Sequence, residues 1–298
     1  VVRTPAASVL AIGVLLGAAV GVQVWRDRGW QPYEPATPVM WFQNAQTARK
    51  LALGFESVVA DVYWIRAVVY FGRQRLSDRA DKTYDLLFPY LDFVTALDPR
   101  FASAYRFGAI FLSEAAPGGP GRPDLAIELL TRGAARSPER WEYPHDIAFV
   151  YHWTYRDSAA ASAWMRKASE IPGAPVWLKS SAAGLLEQGN DRVAARSLWE
   201  QMRDGADQDW LKRTAALRIA QLDAMEALDQ LNEIVWRYEA RVGRMPRNWQ
   251  ELVAARALRG VPLDPAGVAF ELDPVNEDVR LSPSSPLFPL PRPFAASP

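Results

Sequence analysis

The chain has no cysteine. That absence excludes disulfides, thiolate zinc sites, iron–sulfur clusters and cysteine nucleophiles together. Histidine occurs only twice, which starves most metal and acid–base chemistry. There is no excess of charge either: 34 Lys and Arg face 34 Asp and Glu. A chain without a net field is a poor general binder of nucleic acid, which calls for a basic face. Catalytic signatures are missing as well: no G-x-S-x-G elbow, G-x-x-x-x-G-K-[ST] loop, G-x-G-x-x-G turn or H-E-x-x-H helix. The run PGGPGR at 117–122 lacks the lysine and the preceding strand of a phosphate loop, and reads as a connection between helices. His145 and His152 lie two helical turns apart, where a metal pair wants three or four residues, and only Glu142 and Asp146 stand near in sequence. The expectation is no enzyme, no cofactor, no metal and no small-molecule substrate.

With 49% hydrophobic and 23% charged residues over 298 positions, what is present can fold into one large domain or two small ones. Residues 6–25 (AASVLAIGVLLGAAVGVQVW) carry no charge and, as a helix, span roughly 30 Å, the thickness of a bilayer core. Arg3, Arg26 and Arg28 flank the run, and Trp25 and Trp30 suit the headgroup level. The sequence therefore predicts a membrane anchor over 1–26. The competing reading is a cleaved signal peptide, opposed by the length of the run and the lack of a clear A-x-A site. Gly13, Gly17 and Gly21 recur every fourth residue, a smooth stripe where another helix can approach closely; the plain alternative is that glycine is common in membrane segments. A proline-punctuated spacer follows over 27–46.

Beyond it the pattern is helical. Leu51, Phe55, Val58, Val62, Ile65 and Val69 recur at three and four residues, as one buried face should. A second helix is expected over 82–97, closed by Asp98-Pro99. Paired amphipathic helices then repeat: 101–115 with 123–135, 141–155 with 157–171, and 175–188 with 191–202. The period of about 34 to 40 residues is that of a solenoid, in which each hairpin covers its neighbour's apolar face. The tryptophans along the repeats (Trp141, Trp153, Trp164, Trp177, Trp199, Trp210) are expected mostly as core between repeats.

These pairs resemble tetratricopeptide repeats. The family's small-residue pattern on the first helix falls on Phe107-Gly108 with Phe111, Ile147-Ala148 with Tyr151, and Ala182 with Leu185. On the second helix it falls on Ala126, Leu130 and Gly133, then Ala161, Met165 and Ala168, then Ala194 and Leu198. Closing prolines match at Pro99, Pro138 and Pro172. Departures are the insertion at 117–122 and the missing large residue in the third unit. The resemblance implies a mostly α fold, a repeat body over 47–209, with a concave groove lined by first helices. Carried over by position, that groove is Tyr105, Ala109 and Leu112, then Glu142, His145, Phe149, His152 and Trp153, then Ala183 and Glu187. Such a surface is aromatic and nearly neutral, and suits an apolar or amphipathic segment of a protein partner. Alternatively, the neighbouring long helix fills the groove from within.

That helix is read over 209–242 within a capping segment 210–247, stopped by Gly243 and Pro246, covering the open end of the repeats. A small α+β module follows over 248–298: a helix capped by Asn248 and ending near Gly260, then a hairpin of strands 268–272 and 279–282. The order of long helix, GRMPRNWQELV and PLDPAGVAFEL is similar to the C-terminal half of type II secretion pseudopilins, without their direct junction to the membrane helix or their processing site. The proline-dense end, 283–298, either docks in extended form or is an irregular tail. Together these readings describe a single-pass scaffold of a bacterial inner membrane, its body on the periplasmic side, with flanking charges that give no decisive orientation. The first functional expectation is an adaptor in assembly of an envelope complex. The second is a structural subunit of a pilus or secretion machine, and the third an enzyme with an unrecognised site.

Overall fold

The computed structural model describes residues 5–29, 40–42, 44–79, 81–273 and 277–291. By contact the chain divides into two units, Val1–Gln43 and Asn44–Pro298. In the first, helix α1 runs Pro5–Gly29, and its described side chains, residues 12–25, are all exposed. A Cβ placed at Gly13, Gly17 or Gly21 meets nothing within 4 Å. Among the described residues no helix is long and apolar enough to cross a membrane, so the span expected over 6–25 has no support from the structure and rests on the sequence. Most of the spacer, and the tail beyond 291, lie outside the described residues.

The second unit is mostly helical with one small antiparallel sheet. A short helix α2 (Ala45–Leu51) starts at Asn44, whose side chain accepts the Gln46 N–H at 2.7 Å. Next come α3 (Glu56–Leu76) and α4 (Leu87–Leu97), packed on each other. The α4 helix begins at Leu87 rather than Lys82, because residues 82–86 form a turn in which Tyr84 reaches across to donate to the carbonyls of Pro117 and Gly118.

The face of α3 that meets α4 is Ala60, Tyr63, Ala67, Tyr70 and Phe71, not the one expected. Alanines let the two backbones approach and the aromatics fill the space beside them, with the Tyr63 ring 4.2 Å from Phe93. Phe55, Val58, Val62, Ile65 and Val69, with Leu51 before them, all remain exposed. The expectation of a buried stripe there is corrected: α3 is apolar on two sides, and the other side won.

The paired helices lie close to their expected bounds: α5 (Ala102–Ser113) with α6 (Pro123–Arg136), α7 (Glu142–Val150) with α8 (Ser158–Ser169), and α9 (Trp177–Gln188) with α10 (Arg192–Gly205). Consecutive helices pack on one another throughout, and α5 also touches α7. Close approach needs the small residues. A Cβ at Gly133 would lie 3.0 Å from the Tyr105 ring and 3.2 Å from that of Tyr143, and one at Gly108 would lie 2.8 Å from Leu91. Ala126, Ala148, Ala161, Ala168 and Ala182 are buried for the same reason. Asp157 and Asp191 cap α8 and α10, accepting the N–H groups of Ala160 and Ala194 at 2.8 and 3.0 Å.

The long helix α11 (Asp209–Val242) has the bounds expected, ending where Gly243 turns left-handed at φ 78°. It is roughly 50 Å long at 1.5 Å per residue and serves two cores. Leu211, Ala215, Ile219 and Leu222 pack with Ala183, Ala195 and Trp199 of α9 and α10. Ala224, Leu231, Val235 and Tyr238 pack with the C-terminal module. In that module α12 (Trp249–Ala254) stops well before Gly260, at Arg256 in left-handed backbone (φ 57°). Asn248 caps it by accepting the Glu251 N–H, and the Glu251 carboxylate accepts from Arg244, from the Tyr238 hydroxyl and from the Arg247 N–H, one residue before the cap. The strands shorten to β1 (Glu271–Asp273) and β2 (Asp278–Arg280), paired antiparallel with Leu272 opposite Val279. Residues 283–291 dock on α11: Leu287 is buried, and Gln221 donates to the carbonyls of Leu287 and Pro289 at 2.9 and 3.0 Å.

Candidate protein-binding site

The residues expected to line one groove divide into three settings. Tyr105, Ala109 and Leu112 are interior side chains of α5, Tyr105 only 2% exposed, and Ala183 and Glu187 are interior on α9. These five are corrected from groove to core. The apolar face of a first helix is also the face that its own hairpin buries, and here the hairpin takes it. Glu187 shows the consequence most sharply. Its carboxylate accepts the Trp199 indole N–H at 2.5 Å, with the Arg218 guanidinium 3.8 Å away. Burial raises its pKa above the usual glutamate range, against the lowering by Trp199 and Arg218.

Glu142 and His145 occupy a half-buried seam between successive hairpins. Glu142 sits 3.6 Å from Arg140. His145 meets the rings of Trp141 and Trp177 edge-on at 5.9 and 5.6 Å, and those two tryptophans meet at 6.1 Å. Its Nδ1 lies 2.8 Å from Asp146 Oδ1, and Asp146 is held from α5 by Arg106, with Nε–Oδ2 at 2.5 Å and Nη2–Oδ1 at 3.2 Å. The arrangement fastens α5, α7 and α9 in sequence. Among the described residues, no group of three or more His, Cys, Asp or Glu side chains could hold a metal ion.

Phe149, His152 and Trp153 form the third setting, on the outer side of α7. Tyr143, Ile147, Ala148 and Val150 face inward, which leaves Phe149 and Trp153 outward at 52% and 51% exposure. Their rings lie 5.8 Å apart, His152 meets Trp153 edge-on at 5.1 Å, and the Arg156 guanidinium covers Trp153 at 5.8 Å from its centroid. Burial, and then the Arg156 charge, lower the His152 pKa. On α5, one turn beyond the Arg106–Asp146 bridge, Ile110 is similarly exposed, as is Phe107.

The backbone changes within this patch. After Val150 the helix loosens into a π-helical turn, Tyr151–Tyr155, and ends at Arg156 in left-handed backbone (φ 56°). Within it the Tyr151 and Tyr155 rings lie 5.5 Å apart, and Trp153 is exposed. Neither the π turn nor the role of Arg156 was visible in the residue pattern, whose three- and four-residue spacing is continuous there. The expectation that most repeat tryptophans are core is also corrected. Only Trp199 of that set is buried, while Trp153, Trp177 and Trp210 are exposed. A cleft of about 480 Å³ opens between α8, α9, α10 and the start of α11, walled by Val176, Leu198 and Leu211 with Arg166, Glu170 and Lys179, and includes none of the expected groove residues.

Comparison with family models, with characterised proteins and with solved structures returns no match.

Proposed function

We propose that this chain is a helical-repeat adaptor, tethered to a membrane by residues 6–25, that captures an apolar or amphipathic segment of a partner protein. The observation that carries it is the outward aromatic patch of Phe149, His152 and Trp153, with Phe107 and Ile110 also exposed on the neighbouring α5. Rigid aromatic side chains on a helix face supply contact area at small entropic cost, and tryptophan and tyrosine dominate binding energy where they occur. The Phe149, Trp153 and His152 rings favour an apolar or amphipathic segment over a charged tail, with the Arg156 guanidinium over Trp153 as the charged edge of the patch. The tetratricopeptide-like reading draws support from the close approaches at Gly108 and Gly133, where that family also places small residues. The anchor rests on the uncharged run and its flanking arginines and tryptophans, and the periplasmic position of the body on that anchor alone.

A photo-crosslinker placed at Ile110, beside the patch, in otherwise native membranes tests the reading. The wild-type surface is expected to yield a discrete adduct that Phe149→Ala with Trp153→Ala removes while helicity and melting stay unchanged. An adduct that survives both substitutions refutes the patch as a binding site. The second reading, a structural subunit of a secretion-type machine, draws on α11, which joins the repeats to the hairpin module as one continuous helix. Under that reading the adduct forms in a fixed stoichiometry and does not exchange with added free partner.

A further inference from the structure

The one extended apolar surface among the described helices that the adaptor reading leaves unused is the outer side of α3. Phe55, Val58, Val62, Ile65 and Val69 stand there at 67, 55, 39, 60 and 43% exposure, with Val68 and Leu76 beside them. No described residue covers this side. The spacing from Phe55 through 58, 62, 65, 69 and Gly72 to Leu76 alternates three and four, the period of a coiled-coil seam. These side chains expose on the order of 800 Å² together, the amount each partner of a standard interface buries and more than a monomer's largest patch usually shows.

We propose that α3 is the interface of an antiparallel homodimer, each copy's seam packing against the same seam of a second copy. Size complementarity sets the direction. With the twofold near residues 63 and 64, Val62 meets the second copy's Ile65, Val58 its Val69, and Phe55 its Gly72. A Cβ at Gly72 finds nothing within 4 Å, so a phenyl ring has open space to lie on the backbone there. In a parallel pairing Phe55 would meet Phe55 and glycine would meet glycine, crowding one end and leaving a void at the other. Charge agrees with the antiparallel direction. Glu56 and exposed Asp61 lie in the first half of α3 and exposed Arg73 in the second, while Arg66 and Arg75 are turned to Tyr90 and Glu114. Opposed helices bring the acidic first half of one towards Arg73 of the other and oppose their dipoles. A lipid surface fits less well, because exposed Asp61 borders the seam and interfacial helices carry basic residues beside a broad apolar face.

The full chain in detergent micelles, weighed by light scattering or sedimentation, is expected to be a dimer. Ile65→Glu and Val62→Glu should weaken it at least about 100-fold, the effect of burying an unpaired charge. Both positions are exposed in one copy, so helicity and melting of the monomer should not change. The lack of native cysteine allows a test of direction. Antiparallel copies hold their two Val58 positions about 16 Å apart along the axis, so Val58→Cys alone should not oxidise to a covalent dimer. Val58→Cys with Val69→Cys should. The proposal is overturned by a wild-type monomer at about 100 µM, by a dimer that survives both glutamate variants, or by Val58→Cys crosslinking to itself. It is equally overturned if the glutamate variants reduce binding to phospholipid vesicles and leave the mass unchanged.

Discussion

Replacing Gly133 by alanine, with Gly184→Ala as its partner experiment, separates two effects that glycine ordinarily mixes. Both glycines lie inside helices, α6 and α9, and alanine improves helix propensity by about 1 kcal/mol at either position. They differ in what the new methyl meets. At Gly184 it meets nothing within 4 Å. At Gly133 it meets Tyr105 Cδ1 and Cγ at 3.0 Å and Tyr143 Cε1 at 3.2 Å. Those rings cannot withdraw easily, since both are buried and they already pack edge-to-face at 5.6 Å. Overpacking of a filled core costs about 1–3 kcal/mol. The expected outcome is stabilisation of about 1 kcal/mol for Gly184→Ala and a net loss of about 1 kcal/mol for Gly133→Ala, a difference of about 2 kcal/mol. Urea unfolding of the full chain in mild detergent, followed by helical circular dichroism, measures both. The comparison uses midpoints at an unchanged slope, because stacked hairpins can unfold in more than one step. In a melt, each kcal/mol should appear as a shift of roughly 2–4 °C. If Gly133→Ala stabilises as much as Gly184→Ala, the close approach of α6 to α5 and α7 is not what requires glycine, and the packing argument fails.

Two further predictions concern the interior. Glu187 has its pKa raised in the folded state, so folding favours its protonated form. Its contribution to stability is therefore complete below the unfolded glutamate value and is lost as pH rises through the raised folded value. Glu187→Gln, which keeps an acceptor for Trp199, should flatten that part of the pH–stability profile. An unchanged slope across the window would show that burial of this carboxyl is not what the protein titrates. Gln221→Ala removes both hydrogen bonds that hold 283–291 to α11, each of which contributes about 1 kcal/mol. Limited proteolysis should then clip the C-terminal segment faster while the repeats remain intact, and equal clipping rates would mean that Leu287 burial and the Ser285–Asp264 hydrogen bond hold it without Gln221.

The chain's own sequence settled several helix ends, those governed by local chemistry. Asp157 and Asp191 cap, Pro123 starts a helix where its missing N–H costs nothing, and Gly243 takes the left-handed backbone that ends α11. Small residues at 108 and 133 likewise announced where helices would touch. Tertiary structure alone decided which faces meet. Along α3 two apolar stripes share the same helical period, and only the fit of Ala60, Tyr63 and Ala67 against α4 chose between them. Tyr105 and Glu187 were placed on a groove by position within a repeat, yet hairpin packing turned both inward. The candidate binding patch carries a π turn at Tyr151–Tyr155 that no residue spacing marks, since the same side chains fit an unbroken α-helix equally well. Absent cysteine and scarce histidine narrowed the chemistry expected of this chain from the start. What surface it presents instead is a property of packing, because burial depends on partners distant in sequence, and periodicity reports only that a face is apolar.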